Sequence, residues 1–202
     1  GYDDTLIDPG SIIVTEVLAH SDTLIHDAIE LYNASSSPVD ISGWWLSDDK
    51  TDALGVETLT KYQIPVMPPL APGDYAVFYE NLHFGVGPTP FALSELGDNV
   101  YLSSDVGGVA GGYREHIDFG ASPADISIGL HVKSTGGTDF TLLSSPTLGF
   151  ANAHPYFDDL VINEVMYHPA DPTASEIAAG FADEDDFEFI EIKNVSATET
   201  LP

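Results

Sequence analysis

The sequence predicts an all-β fold of the antiparallel sandwich type, and three observations support this. Short segments rich in β-branched and aromatic residues recur along residues 11–152 at spacings of roughly 8–12 residues. Clusters of Gly, Pro, Asn, Asp and Ser separate these segments, as turns require. Helical periodicity is scarce over the same range. Many short strands with regular turns are typical of two antiparallel sheets packed face to face.

The expected strands can be placed in chain order. They cover residues 12–18, 28–32, 39–41, 44–46, 61–65, 75–79, 100–102, 117–120, 127–130 and 141–143. Residues 105–112 are rich in Gly and predict a flexible connection.

The adjacent tryptophans Trp44 and Trp45 predict where the core lies. Successive side chains of a strand point to opposite faces, so one indole points into the core and the other points away from it. We expect Trp44 to be the buried one, beside Ile29, Leu31 and Val77.

The composition excludes several classes of partner. The 202 residues include 33 Asp and Glu but only 5 Lys and Arg, which gives a formal net charge of −28. Nucleic-acid affinity depends largely on Lys and Arg displacing counterions, so we expect no nucleic-acid partner. Cysteine is absent, and no apolar run approaches the ~20 residues of a membrane span, so we expect no membrane insertion.

The sequence contains an internal repeat. Residues 13–20 match residues 161–168, which lie 148 positions later, and residues 29–35 match residues 190–196, which lie 161 positions later. Both matches occur in the same order, and each is followed by polar turn residues. The pattern predicts that the hairpin of the first two strands occurs twice.

The second copy has 13 more residues between its two strands than the first. Thr173 and Glu176 have the spacing of a capping box at the start of a helix. Gly180 is placed to end that helix, because Gly readily adopts the left-handed conformation of a C-cap. The insertion therefore predicts one short helix.

These observations divide the chain into three parts. Residues 11–152 form one complete sandwich, residues 153–160 form a linker, and residues 161–202 form the N-terminal part of a second, truncated repeat. The chain begins with Gly1 rather than Met, and it ends before a counterpart of Trp44, so we expect a piece of a longer protein.

The tail is too short to bury its own apolar residues, because about 45 residues supply little core. We therefore expect residues 158–202 to pack as a hairpin on a sheet edge of the first domain, or to exchange strands with a second chain.

Several segments together resemble the lamin tail domain, in its bacterial and extracellular type. The matching segments are residues 30–33, 39–46, 62–65, 70–73, 97–102, 118–120 and 146–152. The resemblance covers one full copy, residues 11–152, and the start of a second. It implies an immunoglobulin-like antiparallel β-sandwich. Nuclear lamin tails carry basic surface that meets DNA or chromatin, whereas this chain is acidic, so the resemblance extends to the fold and not to the nuclear functions.

The ionisable residues do not form a recognisable catalytic motif. No His-Glu-x-x-His or Gly-x-Ser-x-Gly pattern occurs. His20 and His168 occupy equivalent positions in the two copies, just after the first strand. Structural turn residues would show the same equivalence, so it does not indicate a metal site. Glu16 and Glu30 lie on neighbouring strands and could form a carboxylate pair for glycoside hydrolysis. Glu30 is on the strand face opposite Ile29, so we expect it to point to solvent or to a sheet edge, away from any substrate cleft.

One cluster of carboxylates could bind calcium, which prefers hard oxygen ligands. It comprises Asp183, Asp185, Asp186 and Glu188. A second, looser group comprises Asp48, Asp49 and Asp52. Neither group has the Gly and the ligand spacing of an EF-hand, and a run of acidic residues is more often a solvated surface.

The function indicated by the sequence is a non-catalytic interaction or spacer module of a large secreted or cell-surface bacterial protein. Its partner would be a protein or a glycan, and no cofactor is expected apart from calcium. The alternative is a calcium-dependent carbohydrate-binding β-sandwich, in which an exposed aromatic ring and an acidic loop hold a sugar.

Overall fold

Antiparallel strands dominate the structure, a computed structural model that describes residues 10–21, 26–156 and 160–195. The chain divides into two units, Gly1–Tyr156 and Phe157–Pro202. Residues 157–159 of the predicted linker and residues 196–202 of the predicted second repeat lie outside the described residues. None of the helices in the described part is long and apolar enough to cross a membrane.

The described residues of the first unit form nine strands in two sheets. In chain order they are β1 (Ile12–Leu18), β2 (Ala28–Asn33), β3 (Trp45–Ser47), β4 (Tyr62–Gln63), β5 (Tyr75–Tyr79), β6 (Gly97–Asp105), β7 (Ala110–Gly120), β8 (Ile128–Val132) and β9 (Thr138–Leu142). One sheet has the spatial order β5-β2-β1-β8-β9, and the other has the order β4-β3-β6-β7. All neighbouring strands are antiparallel, so the predicted β-sandwich is confirmed.

The core lies between the two sheets and is centred on Trp44, which is 1% exposed. Its ring packs against that of Tyr113 with the centroids 4.8 Å apart. The Tyr113 hydroxyl donates to the Ile12 carbonyl at 2.7 Å and accepts from the Ile12 N–H at 2.8 Å, which ties the two sheets together. The prediction that Trp44 is the buried indole is confirmed.

The prediction that Val77 lies beside Trp44 is wrong. Val77 is half-buried and pairs with Glu30 across β2 and β5, on the face that points away from the core. Ala76 and Phe78 on either side of it are the buried residues. The apolar run along β5 conceals the alternation, because apolar residues occupy both faces of this strand.

Two predicted boundaries also shift. The predicted connection over residues 105–112 shortens to residues 106–109, since β6 continues to Asp105 and β7 begins at Ala110. Residues 154–156, which the sequence places in the linker, pair with residues 142–144 at the end of β9.

The second unit contains two strands, β10 (Leu160–Met166) and β11 (Phe189–Asn194), which pair in a two-stranded antiparallel sheet. Between them lie helix α1 (Ala174–Ala179) and a 3-10 helix (Glu184–Phe187). Thr173 caps α1 in a capping box with Glu176, and Gly180 ends it with a φ of 102°. The predicted helix is therefore confirmed in its position and in its caps. The prediction that residues 158–202 pack on a sheet edge of the first domain or exchange strands with a second chain stays a prediction.

Candidate functional site

Among the described residues of the first unit, two carboxylates are fully buried. Glu16 of β1 pairs with Glu30 of β2, and neither side chain is exposed to solvent. A β-bulge at Thr15 shifts the register between Val14 and Glu16, and this shift brings the two glutamates opposite each other. The expectation that Glu30 points to solvent or to a sheet edge is therefore wrong.

The cause of this burial is a segment that covers the outer face of the five-stranded sheet. We call residues 146–153 the closing strap. The backbone N–H of Thr147 donates to Glu16 Oε1 at 2.8 Å, and its hydroxyl donates to Glu16 Oε2 at 2.8 Å. The N–H of Gly149 donates to Glu30 Oε2 at 2.6 Å. Thr15 Oγ1 donates to Glu30 Oε1 at 2.7 Å, so each of the four carboxylate oxygens accepts a hydrogen bond.

The strap has the local conformation that these contacts need. The N–H of Phe150 donates to the Thr147 carbonyl at 2.9 Å, which closes a tight turn. Gly149 has a φ of 88° at the third position of this turn, a conformation that Gly adopts without steric cost. The turn places the Thr147 and Gly149 N–H groups over adjacent strands, and each can therefore meet a different glutamate.

Asn152 fastens the other end of the strap. Its side-chain amide donates to the Thr15 carbonyl at 2.8 Å and to the Leu130 carbonyl at 3.0 Å. Thr15 is the bulged residue and has no partner in the β1–β2 register, so its carbonyl is available to a side chain. Asn152 therefore joins the strap to β1 and β8 together.

Gly129 of β8 allows this close approach. A Cβ at this position would lie 2.7 Å from the Asn152 amide nitrogen, 2.7 Å from Leu143 Cδ1 and 2.9 Å from the Thr15 carbonyl oxygen. We expect Gly129→Ala to lower the free energy of unfolding by about 1–3 kcal/mol, because backbone and strap must both move. Gly120→Ala is the control, since a Cβ there meets no atom within 4 Å. Urea denaturation of both variants checks this, and equal midpoints would contradict it.

Burial also changes the acidity of the pair. Desolvation raises the pKa of Glu30 from 4.5 to about 7, and the neighbouring charge of Glu16 acts in the same direction. The hydrogen bonds from Thr15 and Gly149 oppose this rise, because they favour the carboxylate. Every carboxylate oxygen of the pair accepts a hydrogen bond from the protein. This geometry supports a structural role, in which the pair holds the closing strap on the sheet, rather than a catalytic role in glycoside hydrolysis.

A second feature is an open groove on the outer face of the four-stranded sheet, with a volume of about 380 Å³. The rings of Tyr101 and His116 stack in it with their centroids 4.3 Å apart and an interplanar angle of 13°. Lys50 and Arg114 line it as well, and they are two of the five Lys and Arg residues in the chain. Glu57 and Glu115 also line the groove, which therefore combines aromatic rings with two cations and two carboxylates.

Neighbouring side chains hold the groove in place. Arg114 Nη1 donates to Ser103 Oγ at 2.9 Å, and Arg114 Nη2 lies 3.9 Å from a carboxylate oxygen of Glu57. His116 Nε2 lies 2.8 Å from Asn99 Oδ1. Tyr101, Arg114 and His116 were not predicted as a group, because the strand expected at residues 117–120 begins at Ala110 in the structure and contains both Arg114 and His116. The signal available in the sequence is the spacing of two between Arg114 and His116, which places them on one face of a strand.

Trp45, the indole expected to point away from the core, does not line the groove. Trp45 is half-buried, and its indole N–H donates to Asp105 Oδ1 at 2.9 Å. This hydrogen bond fixes the ring against the β6–β7 turn. The aromatic surface of the groove is the Tyr101–His116 pair.

The two equivalent histidines make different contacts. His20 Nε2 lies 3.3 Å from a carboxylate oxygen of Glu95, and its Nδ1 lies 3.1 Å from the Ser122 carbonyl oxygen. His168 Nδ1 lies 3.6 Å from a carboxylate oxygen of Glu184. Each histidine therefore pairs with a carboxylate near a turn.

The acidic residues predicted to bind calcium serve local structure. Asp183 caps the 3-10 helix by accepting from the Asp185 N–H, and Asp186 reaches back to the Asp183 N–H. Across the residues that the structure describes, no three His, Asp or Glu side chains are grouped as metal ligands. Calcium binding by Asp183, Asp185, Asp186 and Glu188 stays a prediction.

The looser acidic group is also used locally. Asp48 and Asp49 both pair with Lys61. The Asp52 carboxylate accepts from the N–H groups of Leu54 and Val56, which closes a turn. These contacts account for the acidic residues of this loop as local structure.

Comparison with known proteins identifies the family. The family model described as Lamin Tail Domain (LTD) matches residues 7–114, which is just over half of the chain. Searches of curated proteins and of solved structures gave no match. The matched residues contain β1 to β6, Trp44, the Glu16–Glu30 pair and the start of β7, so they include most of the sandwich. The chain therefore belongs to the lamin tail domain family.

Proposed function

We propose that this chain is a non-catalytic interaction and spacer module of a large secreted or cell-surface bacterial protein, in which the sandwich is repeated. The lamin tail domain is an immunoglobulin-like fold without catalytic activity, and this supports a binding role. The net charge of −28 supports an exposed, hydrated surface and makes nucleic acid a poor partner.

The groove between Lys50, Tyr101, Arg114 and His116 is the observation that carries this proposal. Tyr and Arg are enriched at protein interfaces, where they contribute a large share of the binding energy. The groove is lined by Lys50 and Arg114 and by the carboxylates of Glu57 and Glu115, beside the two rings. This mixed lining favours a partner segment with an aromatic or apolar anchor flanked by groups of both charges. We propose a protein segment of this chemistry as the ligand.

We expect Arg114→Ala to weaken binding of a protein segment at least tenfold. The test selects peptides from a display library on the immobilised chain and measures their affinity for two variants. Lys133→Ala is a matched control, because its side chain is 45% exposed against 40% for Arg114 and also forms an ion pair, with Asp139 at 2.9 Å. A loss of tenfold corresponds to about 1.4 kcal/mol, the effect of a moderate interface residue. Equal effects of the two variants would contradict the groove as the binding site.

Carbohydrate binding is the second candidate, and the parallel Tyr101–His116 rings favour it, because they offer a flat aromatic surface on which a sugar can stack. A glycan array probed with the wild type and with Tyr101→Ala tests this. Binding that survives the loss of the ring would contradict a stacking role.

The calcium part of this alternative has a separate test. A ligand that binds only the folded state raises the Tm by mass action. We expect millimolar calcium to change the Tm by no more than about 1 °C, because Asp183 and Asp186 are engaged as caps. A rise of several degrees that Asp185→Ala abolishes would instead support the calcium site.

A further inference from the structure

The hairpin of the second unit reproduces the hairpin that carries the buried carboxylates. The β1–β2 pair begins at Ile12 opposite Asn33, and the β10–β11 pair begins at Leu160 opposite Asn194. Each pairing contains one bulge, located between the third and the fifth residue of the first strand. The bulge sets Glu164 opposite Glu191, just as it sets Glu16 opposite Glu30.

The equivalence extends to the bulged side chains. Thr15 occupies the bulge in β1 and donates to Glu30. Asn163 occupies the bulge in β10, and its side-chain amide donates to Glu191. Both hairpins therefore use the bulged residue to orient the glutamate of the second strand.

The two glutamate pairs differ in their exposure to solvent. Glu16 and Glu30 are fully buried beneath the closing strap. Glu164 and Glu191 are exposed, as are the apolar residues Ile162 and Ile192 of the same hairpin. In the first hairpin, the closing strap is therefore the segment that binds the glutamate pair. In the second hairpin, the glutamate pair is open to solvent.

We propose that the Glu164–Glu191 pair is a binding site for a peptide segment of the Thr-x-Gly-x-x-Asn type, equivalent to residues 147–152 of the strap. The threonine N–H and hydroxyl donate to Glu164, and the glycine N–H donates to Glu191. The asparagine amide donates to the carbonyl of the bulged Asn163. The proposal rests on the repeated module proposed above, in which each copy of the hairpin is closed by such a strap.

The chemistry selects this segment in three ways. Two carboxylates side by side require several N–H and O–H donors, and a Thr-x-Gly turn supplies three of them within three residues. The glycine must adopt positive φ, which disfavours other residues at that position. The asparagine must reach a bulge carbonyl that the strand ladder leaves unpaired.

The test titrates the full ¹⁵N-labelled chain with a capped peptide of residues 145–154 and follows the amide signals by NMR. We expect saturable shifts at residues 161–166 and 189–193, with a Kd in the millimolar range, since the site offers only a few solvent-exposed hydrogen bonds. The double variant Glu164→Gln with Glu191→Gln should weaken binding at least tenfold. Peptides with Val for the threonine or Ala for the asparagine should lose at least as much.

A control variant separates specific binding from charge alone. Asp171→Asn with Glu184→Gln removes the same number of negative charges from the segment between β10 and β11 and should leave the affinity unchanged. A second arm appends residues 145–154 through a flexible Gly/Ser linker after Pro202, which raises the effective concentration of the segment. This chain should show slower amide exchange in β10 and β11 than one with a scrambled segment.

Several results would overturn the proposal. These are shifts confined to β1, β2 and the strap, equal binding of a scrambled peptide, or unchanged exchange in the appended chain. The groove variant Arg114→Ala should not affect this titration, because Arg114 lies in the first unit. The groove and the Glu164–Glu191 pair are therefore tested by different variants, and failure of one binding site can be distinguished from failure of the other.

Discussion

Replacing Trp44 with Ala is expected to lower the free energy of unfolding by about 3–5 kcal/mol, the largest effect of any substitution discussed for this chain. The Trp44 ring is buried between the sheets, where it contacts Tyr113 and the apolar residues of the common core. The loss of the ring opens a cavity between the sheets. The sheets cannot close this cavity without breaking hydrogen bonds between their strands. Urea denaturation at constant pH measures the change.

The adjacent tryptophan provides a matched control for this substitution. Trp45→Ala removes the same atoms one residue later, from a half-buried site on the outer face of the four-stranded sheet. Its cost should be about 1–2 kcal/mol, from one hydrogen bond to Asp105 and partial burial. Equal midpoint shifts for the two variants would show that Trp44 does not centre the core.

The sequence predicted the sandwich because its local signals agree with one another. Turn residues bound most of the strands. The alternation of a strand required one of the two indoles to be buried, and the resemblance to the lamin tail domain correctly indicated Trp44. The prediction failed where side chains on both faces of a strand are apolar, as on β5. There, alternation cannot identify the inner face, and Val77 was assigned to the core in place of Ala76 and Phe78.

The buried carboxylate pair could be predicted only in part. The internal repeat showed a glutamate at the same place in both copies of each strand, at positions 16 and 164 and at positions 30 and 191. The bulge that sets each pair of glutamates opposite each other has no signature in the sequence, and the strap that covers Glu16 and Glu30 follows more than 110 residues later. A charged side chain on the outward face of a strand is normally exposed to solvent. Here a segment distant in sequence covers it, which only the tertiary structure shows.

Stability of the wild-type chain is expected to fall as the pH rises from about 4.5 to about 7 because of Glu30. Its pKa is 4.5 when exposed and about 7 in the fold, so the folded state holds a proton that the unfolded state has lost in this range. Stability falls with pH wherever the folded state binds more protons than the unfolded state. A shift of this size corresponds to about 3 kcal/mol.

The Glu30→Gln variant isolates this contribution, because burial also raises the pKa values of Asp27, Asp98 and Glu115 and these residues remain in both proteins. Gln cannot ionise, and its misplaced amide donor adds a cost that does not depend on pH. The stability of Glu30→Gln relative to the wild type should therefore rise by about 3 kcal/mol between pH 4.5 and pH 8. Urea denaturation of both proteins across this range measures the difference.

The neighbouring variant Glu16→Gln tests the cause of the shift. The charge of Glu16 contributes to the raised pKa of Glu30, so removing this charge should lower the pKa of Glu30 and narrow the pH range over which stability falls. Stability should still fall with rising pH, because desolvation is the larger cause of the shift. A difference between Glu30→Gln and the wild type that does not vary with pH would mean that the carboxylate of Glu30 stays hydrated, and hence that the closing strap does not cover it in solution.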